Sequence, residues 1–398
     1  EFDVMWPSRG EGGIVYENGG YLYHLDPASK ANRRIPITVT GDRPHTAPYF
    51  KTVADDVESF DISPSGKRVV FGARGEIFTV PAENGNIRNI SQTPAFRERG
   101  VSWSPDGEWI TYFSDASGDY DLYLMPSDRS SDPVRLASGD QVWVDGVQWS
   151  PDSEWIAWAD NMNRLRAMEI ASRRLVEIDR TGSGPLNDFS WSGDSKWIAY
   201  AKNSPNTVSA IWLYSFDSGE KTQITDDMTD ESSPAFDPEG RFLYFVSARD
   251  FNFTFGGGSN FQSRIFAATL QEDYGHPFPP LSDEEPAVVG GEAPEEGSEE
   301  AEESGVLRID LEGLGGRVMP LPGLRPGGYQ GIIPVDDGIL YFSGGALNKY
   351  TLDDRESSEI ISGIRGMAIT ADRTKLVYRS GESDFGIVDV RPGQSTDA

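Results

Sequence analysis

Cysteine is absent from this chain of 398 residues, which excludes disulfides, thiolate metal sites and cysteine nucleophiles. Histidine is rare, and none of the three residues, His24, His45 and His276, has neighbours in the sequence that suggest a Ser-His-Asp triad. Apolar runs stay below the roughly 18 residues of a membrane-spanning helix, and no signal peptide opens the chain. We therefore expect no membrane partner.

Positive charge is also scarce, because 35 Lys and Arg residues stand against 64 Asp and Glu residues, which gives a net charge of −29. Nucleic acids bind basic surfaces, so we expect no nucleic-acid partner. Only 8 of the basic residues are Lys, and an acidic surface poor in Lys is typical of a salty habitat as well as of a cationic partner.

The common catalytic and metal-binding patterns are missing too. The string nearest to a GxSxG nucleophile elbow, GGGSN at 256–260, fails the pattern, and HExxH, EF-hand and CxxC spacings do not occur. The sequence therefore predicts no catalytic residue, no metal and no cofactor within this chain.

What the chain does contain is a repeated turn, WSPDG and its variants, each time between two short apolar strands. The first turn residue, which is the Ser of WSPDG or its counterpart, is Ser63, Ser104, Ser150, Ser192 or Asp237, at separations of 41, 46, 42 and 45 residues. Two weaker copies follow, GIIPVDDGILYFS at 331–343 and MAITADRTKLVYR at 367–379. A period of about 40 to 45 residues is that of a propeller blade.

Each copy predicts four antiparallel strands: two joined by the Pro-Asp-Gly turn, then two further apolar runs. Such a sheet is apolar on both faces, so neighbouring copies must stack, with Trp103, Trp149 and Trp191 as the predicted filling between them. Counted from Val57, seven copies predict an all-β fold, a seven-bladed β-propeller of four-stranded antiparallel blades.

The organisation along the chain follows from these copies. Residues 1–40 predict one blade of a preceding propeller, 41–56 a connector, 57–393 the seven-bladed propeller and 394–398 a tail. Within one blade, 271–305 form an acidic insert that cannot bury enough surface to order itself, and VLRIDLEGLGGRVMPLP is expected to restore the outer strands after it. The last copy is one strand short, so the missing strand follows Ala398 or the ring is open. Because the first residue is Glu, we expect a piece of a longer protein.

The axis of the propeller is the predicted functional site, since the residues before each innermost strand ring one mouth of the channel. Mixed charges there are suited to filtering extended peptides, and ordinary loop charges are the alternative interpretation. The candidate residues at this mouth are Asp56, Arg99, Asp145, Asp188, Glu231 and Arg365.

Several strings, taken in order, resemble the propeller region of tricorn proteases, which are peptidases of the S41 type. They are FDVMWPS with GGIVYENGGYLYHLD, ARGEIFTVPAENGNIRNIS, YFSDASGDYDLYL and SSPAFDPEGRFLYFVSARDFNFTF. In that family a six-bladed propeller precedes a seven-bladed one, and PDZ-like and serine protease domains follow. The resemblance implies that residues 1–40 are the last blade of the six-bladed unit and that the catalytic residues lie outside this chain.

For the parent protein, the resemblance implies a cytoplasmic, oligomeric serine protease that trims peptides, with the seven-bladed propeller as a gated route for substrate. The expected partners are therefore peptide substrates and further copies of the full-length protein. Two alternatives stay open: a TolB-like propeller that docks partner proteins without proteolysis, and the propeller of a prolyl-oligopeptidase-type enzyme.

Overall fold

The computed structural model describes residues 2–38, 51–137, 144, 146–249, 251–254, 258–275, 277–279 and 307–396, without the side chains of 251–261. The chain divides into two compact units, Glu1–Thr52 and Val53–Ala398. Most of the predicted connector lies outside the described residues, but its last three residues, Ala54–Asp56, form a 3-10 helix in the second unit.

The first unit contains one antiparallel sheet whose four strands pair in chain order: β1 (Val4–Gly10), β2 (Gly13–Asn18), β3 (Tyr21–Leu25) and β4 (Asn32–Arg34). Large apolar side chains of this sheet are exposed within the chain, among them Trp6 at 75% and Val4 at 58%. The predicted four-stranded unit in 1–40 is therefore present, and its membership of another propeller stays a prediction.

The described part of the second unit contains seven consecutive antiparallel sheets, each with its strands paired in chain order. Sheet 1 has β5 (Val57–Ile62), β6 (Arg68–Ala73), β7 (Glu76–Pro81) and β8 (Arg88–Asn89). Sheet 2 has β9 (Glu98–Trp103), β10 (Trp109–Ser114), β11 (Asp121–Pro126) and β12 (Val134–Ala137). Sheet 3 has β13 (Gln148–Trp149), β14 (Trp155–Ala159), β15 (Arg164–Glu169) and β16 (Leu175–Arg180). Sheet 4 has β17 (Phe189–Trp191), β18 (Trp197–Asn203), β19 (Ser209–Ser215) and β20 (Lys221–Gln223).

Sheet 5 has β21 (Glu231–Phe236), β22 (Phe242–Ser247), β25 (Arg264–Thr269) and β26 (Val318–Pro320). A separate hairpin, β23 (Phe251–Thr254) and β24 (Gly258–Phe261), lies between its second and third strands, and a 3-10 helix, Leu314–Gly316, precedes its fourth. Sheet 6 has β27 (Gln330–Val335), β28 (Gly338–Ser343), β29 (Ala346–Thr351) and β30 (Ser357–Ser362). Sheet 7 has three described strands, β31 (Gly366–Ile369), β32 (Lys375–Arg379) and β33 (Phe385–Asp389).

The turns of sheets 2, 3 and 4 are built by their own Ser and Asp side chains. In sheet 2 the Ser104 hydroxyl donates to the Asp106 carboxylate and accepts the Trp109 N–H at 2.9 Å. The same bonds recur around Ser150 and Ser192. Gly107 has a φ of +80°, a conformation that glycine adopts without steric cost. The motif therefore reverses the chain within a few residues and starts the second strand in register.

The core consists of seven clusters of buried residues in the described structure, one between each pair of neighbouring sheets. Trp103, at the end of the first strand of sheet 2, is 9% exposed and belongs to the same cluster as Val70 and Ile77 of sheet 1. Trp149 and Trp191 are each 8% exposed in the corresponding clusters of sheets 3 and 4. The predicted packing role of these tryptophans is thus confirmed.

Sheet 7 packs on sheet 1 and closes a propeller-like ring. Val377 shares a cluster with Ile62 and Val69 of sheet 1. The Phe385 ring lies edge-on to Phe71, with 4.9 Å between ring centroids. These contacts are made by side chains, and the two sheets share no strand among the described residues. In this part of the chain the ring is closed by side-chain contacts, which are apolar packing and a hydrogen bond from Arg379 to the Val57 carbonyl oxygen.

The structure corrects the expected strand order of sheet 5. We expected the outer strands of this sheet to follow the acidic insert, but its third strand, β25, precedes the insert and only β26 follows it. The reason is that Arg264–Thr269 already carries the continuous buried run of a central strand. Residues 281–306, which include most of the insert, lie outside the described residues.

Candidate functional site

The innermost strands of the seven sheets begin on the same side of the second unit, which is here named the mouth face. It carries the loops that precede those strands and the hairpins that join second to third strands, because antiparallel strands alternate in direction. The opposite side, named the turn face, carries the WSPDG turns. Five of the six sequence-predicted site residues are described, and they lie at or next to the start of an innermost strand, and so on the mouth face.

Bulges mark the innermost strands at this face. The pairing register shifts between Val57 and Ser59 in sheet 1, and similar irregularities occur in sheets 2, 5 and 6. Gly100, Ser233 and Gly331, which lie within these bulges, have φ values of +63°, +52° and +62°. A bulge bends the strand and changes the direction of its side chains, which directs them toward the neighbouring sheet.

Asp188 uses this geometry to join sheet 4 to sheet 5. Its Oδ2 accepts the N–H of Ser233 at 2.7 Å, and the Ser233 hydroxyl in turn accepts the N–H of Gly331 in sheet 6 at 3.2 Å. Burial raises the pKa of Asp188, and the hydrogen bond from Ser233 offsets only part of that effect. The carboxylate therefore ties two sheets together instead of facing an open channel.

Glu231 is also engaged, since it is 1% exposed and forms an ion pair of 2.8 Å with Arg249. The Thr229 hydroxyl donates to the same carboxylate at 2.9 Å. Burial raises the pKa of Glu231, against the opposing effect of Arg249. Glu98, the corresponding residue of sheet 2, is 2% exposed and accepts a hydrogen bond from Ser114. Both glutamates belong to the interior of the ring.

Arg99 and Asp56 lie at the mouth face with contacts of their own. The Arg99 guanidinium donates to the carbonyl oxygen of Val144 in the loop before sheet 3 at 2.6 Å, and it lies over the Tyr120 ring. Asp56 ends the 3-10 helix, and its carbonyl oxygen accepts the Arg74 N–H at 3.3 Å. Asp145 lies outside the described residues.

Arg365 differs from these residues because its side chain is exposed. Its backbone N–H donates to the Arg379 carbonyl oxygen at 2.7 Å, whereas the described residues offer its guanidinium no hydrogen bond or ion pair. Arg365 lies beside an open cleft of about 590 Å³ between sheets 6 and 7.

The six predicted residues do not share one position in the repeat. Counted back from the first turn residue, Arg99, Asp145 and Arg365 precede it by five residues, whereas Asp188, Glu231 and Asp56 precede it by four, six and seven. The same count in the other four repeats gives residues that sequence reasoning missed: Glu58, Asn187, Ser232 and Gln330. Glu58 forms an exposed ion pair with Arg97 at 2.7 Å. A strict count from the turn is the signal that finds these positions.

The described residues give little support to a metal-binding site or a histidine-based catalytic site. They include no group of three His, Asp or Glu side chains placed to hold a metal ion. His24 has its Nε2 bonded to the Gly12 carbonyl oxygen at 2.8 Å, and His45 and His276 lie outside the described residues. In the part of the chain that the structure describes, no helix is long and apolar enough to cross a membrane.

Stacked four-stranded antiparallel sheets around an axis define the all-β propeller class. Within this class, residues 57–389 match the family described as the tricorn protease second β-propeller domain. The chain belongs to that family, as its resemblance to the tricorn propeller region predicted.

Relatives and solved structures agree with this assignment. The chain is 27% identical over 348 residues to tricorn protease homolog 1 of Streptomyces coelicolor, covering 82% of this chain and 31% of the relative. It is 22% identical to the tricorn protease of Thermoplasma volcanium, covering 92% of this chain and 36% of the relative. The crystal structure of the tricorn protease matches with a TM-score of 0.70 at 18% identity, over 98% of this chain and 38% of that one. The chain thus spans about a third of the length of these tricorn proteins.

Proposed function

We propose that this chain is the propeller segment of a tricorn-like serine protease and acts as a channel or filter for peptide substrates. The observation that carries the proposal is the family match over 57–389, which covers the whole ring of sheets. The catalytic domains lie outside this chain in this proposal. The parent protein is cytoplasmic and assembles with further copies of itself.

The proposal includes a specific count of blades. The seven sheets from Val57 to Asp389 are the blades of one complete propeller, and the sheet of residues 4–34 is the last blade of a six-bladed propeller. The seven core clusters between neighbouring sheets support the first part. The exposed apolar side chains of the first sheet support the second, because a blade buries both faces only against other blades.

The surface chemistry of the mouth face supports a peptide route. Phe96, Met162 and Met228 project from three of its loops with 43%, 57% and 81% of their surface exposed. Methionine adapts its shape to varied apolar partners, and exposed apolar side chains near one opening are suited to extended peptides of differing sequence. Charged side chains at the same face discriminate among those peptides by charge.

Hydrolysis assays test whether peptide cleavage requires the parts of the parent protein that lie outside this chain. We expect no cleavage of fluorogenic peptides by the purified chain and cleavage by the full-length protein. Robust cleavage by the chain alone would contradict the proposal. A gene that encodes no protease domain after Ala398 would favour the TolB-like docking module, and a following GxSxG hydrolase domain would favour the prolyl-oligopeptidase type.

Photo-crosslinking tests the route itself. We expect a peptide with a photoreactive group to label the mouth-face loops around Phe96, Met162 and Met228. Met228→Ser should then reduce the yield at its loop. Ile87→Ser is the matched control, since Ile87 is 67% exposed in a loop of the turn face. Labelling confined to the turn face or to the outer strands would count against a route through the mouth.

A further inference from the structure

The cleft between sheets 6 and 7 is an open binding surface on the mouth face. Its volume is about 590 Å³, enough for a few residues of an extended peptide. It is lined by the beginning of β27, the β28–β29 turn and the loop before β31, with Gln330, Phe342, Gly345, Arg365 and Met367 among its residues. The cleft therefore combines a cation, apolar side chains and exposed backbone.

Arg365 is the described candidate whose charge is left available at this face. The carboxylates of Asp188 and Glu231 are bonded to Ser233 and Arg249, and the Arg99 guanidinium is bonded to Val144. No described residue forms a hydrogen bond or ion pair with the Arg365 guanidinium. Its five N–H donors in a planar fork match the two oxygens of a carboxylate.

The glycine turn beside Arg365 keeps the cleft accessible. Gly344 and Gly345 form a two-residue turn between Ser343 and Ala346, with φ values of +62° and +81°. The hairpin requires these glycines, but a side chain added at either position would meet no atom within 4 Å. Gly328, on the rim, is equally open. A peptide backbone is thus able to approach the turn closely.

We propose that this cleft binds the carboxylate of an extended peptide through Arg365, with an adjacent apolar side chain of the peptide against Phe342 and Met367. The inference rests on the proposed peptide route and adds a recognition element to it. In a chain with a net charge of −29, an anionic peptide group meets a repulsive field over most of the surface. A local guanidinium is what allows such a group to dock at the mouth.

Peptide binding to the purified chain tests the inference. The probes are fluorescein-labelled hexapeptides that end in Leu, measured by fluorescence anisotropy at low ionic strength. One is a free acid without acidic side chains, one is its C-terminal amide, and two further amides carry a central Glu or Gln. We expect the free acid or the Glu peptide to bind about threefold to fivefold more tightly than its uncharged counterpart, as an exposed ion pair provides. Whichever pair differs identifies the source of the carboxylate.

Variants then assign that preference to Arg365. Arg365→Gln should abolish the difference between the acid and its uncharged counterpart, while Arg365→Lys should keep part of it because the charge remains without the fork. Arg325→Gln is the matched control, since Arg325 is an exposed arginine of the neighbouring loop and does not line the cleft. It should retain the full preference.

Failure of the inference is distinguishable from failure of the proposed route. Equal binding of charged and uncharged peptides, or a preference that survives Arg365→Gln, would overturn the role of Arg365 and leave the peptide route standing. If none of the peptides binds the chain, then both the inference and the proposed route are contradicted.

Discussion

Asp61 and Asp188 connect neighbouring sheets of the second unit through hydrogen bonds. Asp61 of sheet 1 accepts the N–H of Trp103 at 2.8 Å and the hydroxyl of Ser102 at 3.1 Å, both from sheet 2. Asp188 joins sheets 4 and 5 in the same way. Each carboxylate satisfies a backbone donor that would otherwise lose its partner, but its desolvation makes stability depend on its charge state.

Asp61 should make the stability of the chain depend on pH in a defined direction. Burial raises the pKa of Asp61 to about 6, against the opposing hydrogen bonds from Trp103 and Ile62. The folded state therefore holds this proton more tightly than the unfolded chain, and the contribution of Asp61 to the free energy of unfolding falls as the pH rises from about 4 to about 6. A shift of about two pKa units corresponds to at most about 3 kcal/mol.

We expect Asp61→Asn to lack this dependence, so its free energy of unfolding relative to the unaltered chain should rise by up to about 3 kcal/mol between roughly pH 4 and pH 7. Urea unfolding followed by tryptophan fluorescence measures the difference at each pH. Asp353→Asn, at an exposed aspartate, is the control and should run parallel to the unaltered chain. A parallel profile for Asp61→Asn would refute the interpretation.

Ser153 replaces the usual turn glycine and bonds the preceding sheet. It has a φ of +63°, and its Oγ accepts the N–H of Asp106 in the turn of sheet 2 at 3.0 Å. Ser195 repeats this arrangement with Asp152 at 3.2 Å, whereas Gly107 occupies the position in sheet 2. The hydrogen bond offsets the steric cost that a side chain meets at positive φ.

Two substitutions at Ser153 separate the hydrogen bond from the backbone conformation. Ser153→Ala loses the bond and keeps the steric cost, so it should lower the free energy of unfolding by about 1 to 2 kcal/mol. Ser153→Gly loses the same bond but relieves about 1 kcal/mol of steric cost, so it should be the milder change. Thermal and urea unfolding of both variants checks the order. A Gly variant less stable than the Ala variant would contradict this account.

At the scale of the elements, sheet 7 is the distinctive one, because its three described strands hold the ring closed through side chains. The Arg379 guanidinium donates to the Val57 carbonyl oxygen at 3.2 Å, and Val377 packs against Ile62 and Val69. Closure by packing depends on apolar contact area, so deletion of buried methyl groups should weaken it.

Val377→Ala should loosen this contact selectively. We expect the free energy of unfolding to fall by about 1 to 3 kcal/mol and the amides of β5 and β31–β33 to exchange faster in hydrogen exchange followed by mass spectrometry. Val70→Ala is the matched control, since Val70 is equally buried but belongs to the cluster between sheets 1 and 2. Its faster exchange should appear in sheets 1 and 2. The same exchange pattern in both variants would mean that the interfaces do not act independently.

At the scale of the whole molecule, those parts of the fold that short sequence motifs determine were predictable. The Ser-Pro-Asp-Gly turns predicted the hairpins, and the repeated tryptophans predicted the packing between sheets. The bulges at the mouth face were not predictable, because a register shift depends on the partner strand and not on the sequence of one strand alone. For the same reason the sequence did not show that Asp188 bonds sheet 5 or that Glu231 is buried with Arg249.

The net charge of −29 predicts that salt stabilises the molecule at neutral pH. Like charges repel within the compact state, and raising the ionic strength from about 0.01 M to 0.15 M shortens the screening length from about 30 Å to about 8 Å. Exposed ion pairs lose energy as well, but each of them contributes at most about 1 kcal/mol. We therefore expect the thermal midpoint, measured by scanning calorimetry, to rise by several degrees with sodium chloride.

The control is the same titration near the isoelectric point of about 4.4, where net repulsion vanishes and the rise should disappear. An equal rise at both pH values would assign the effect to salt exclusion, and a fall at neutral pH would mean that ion pairs outweigh repulsion.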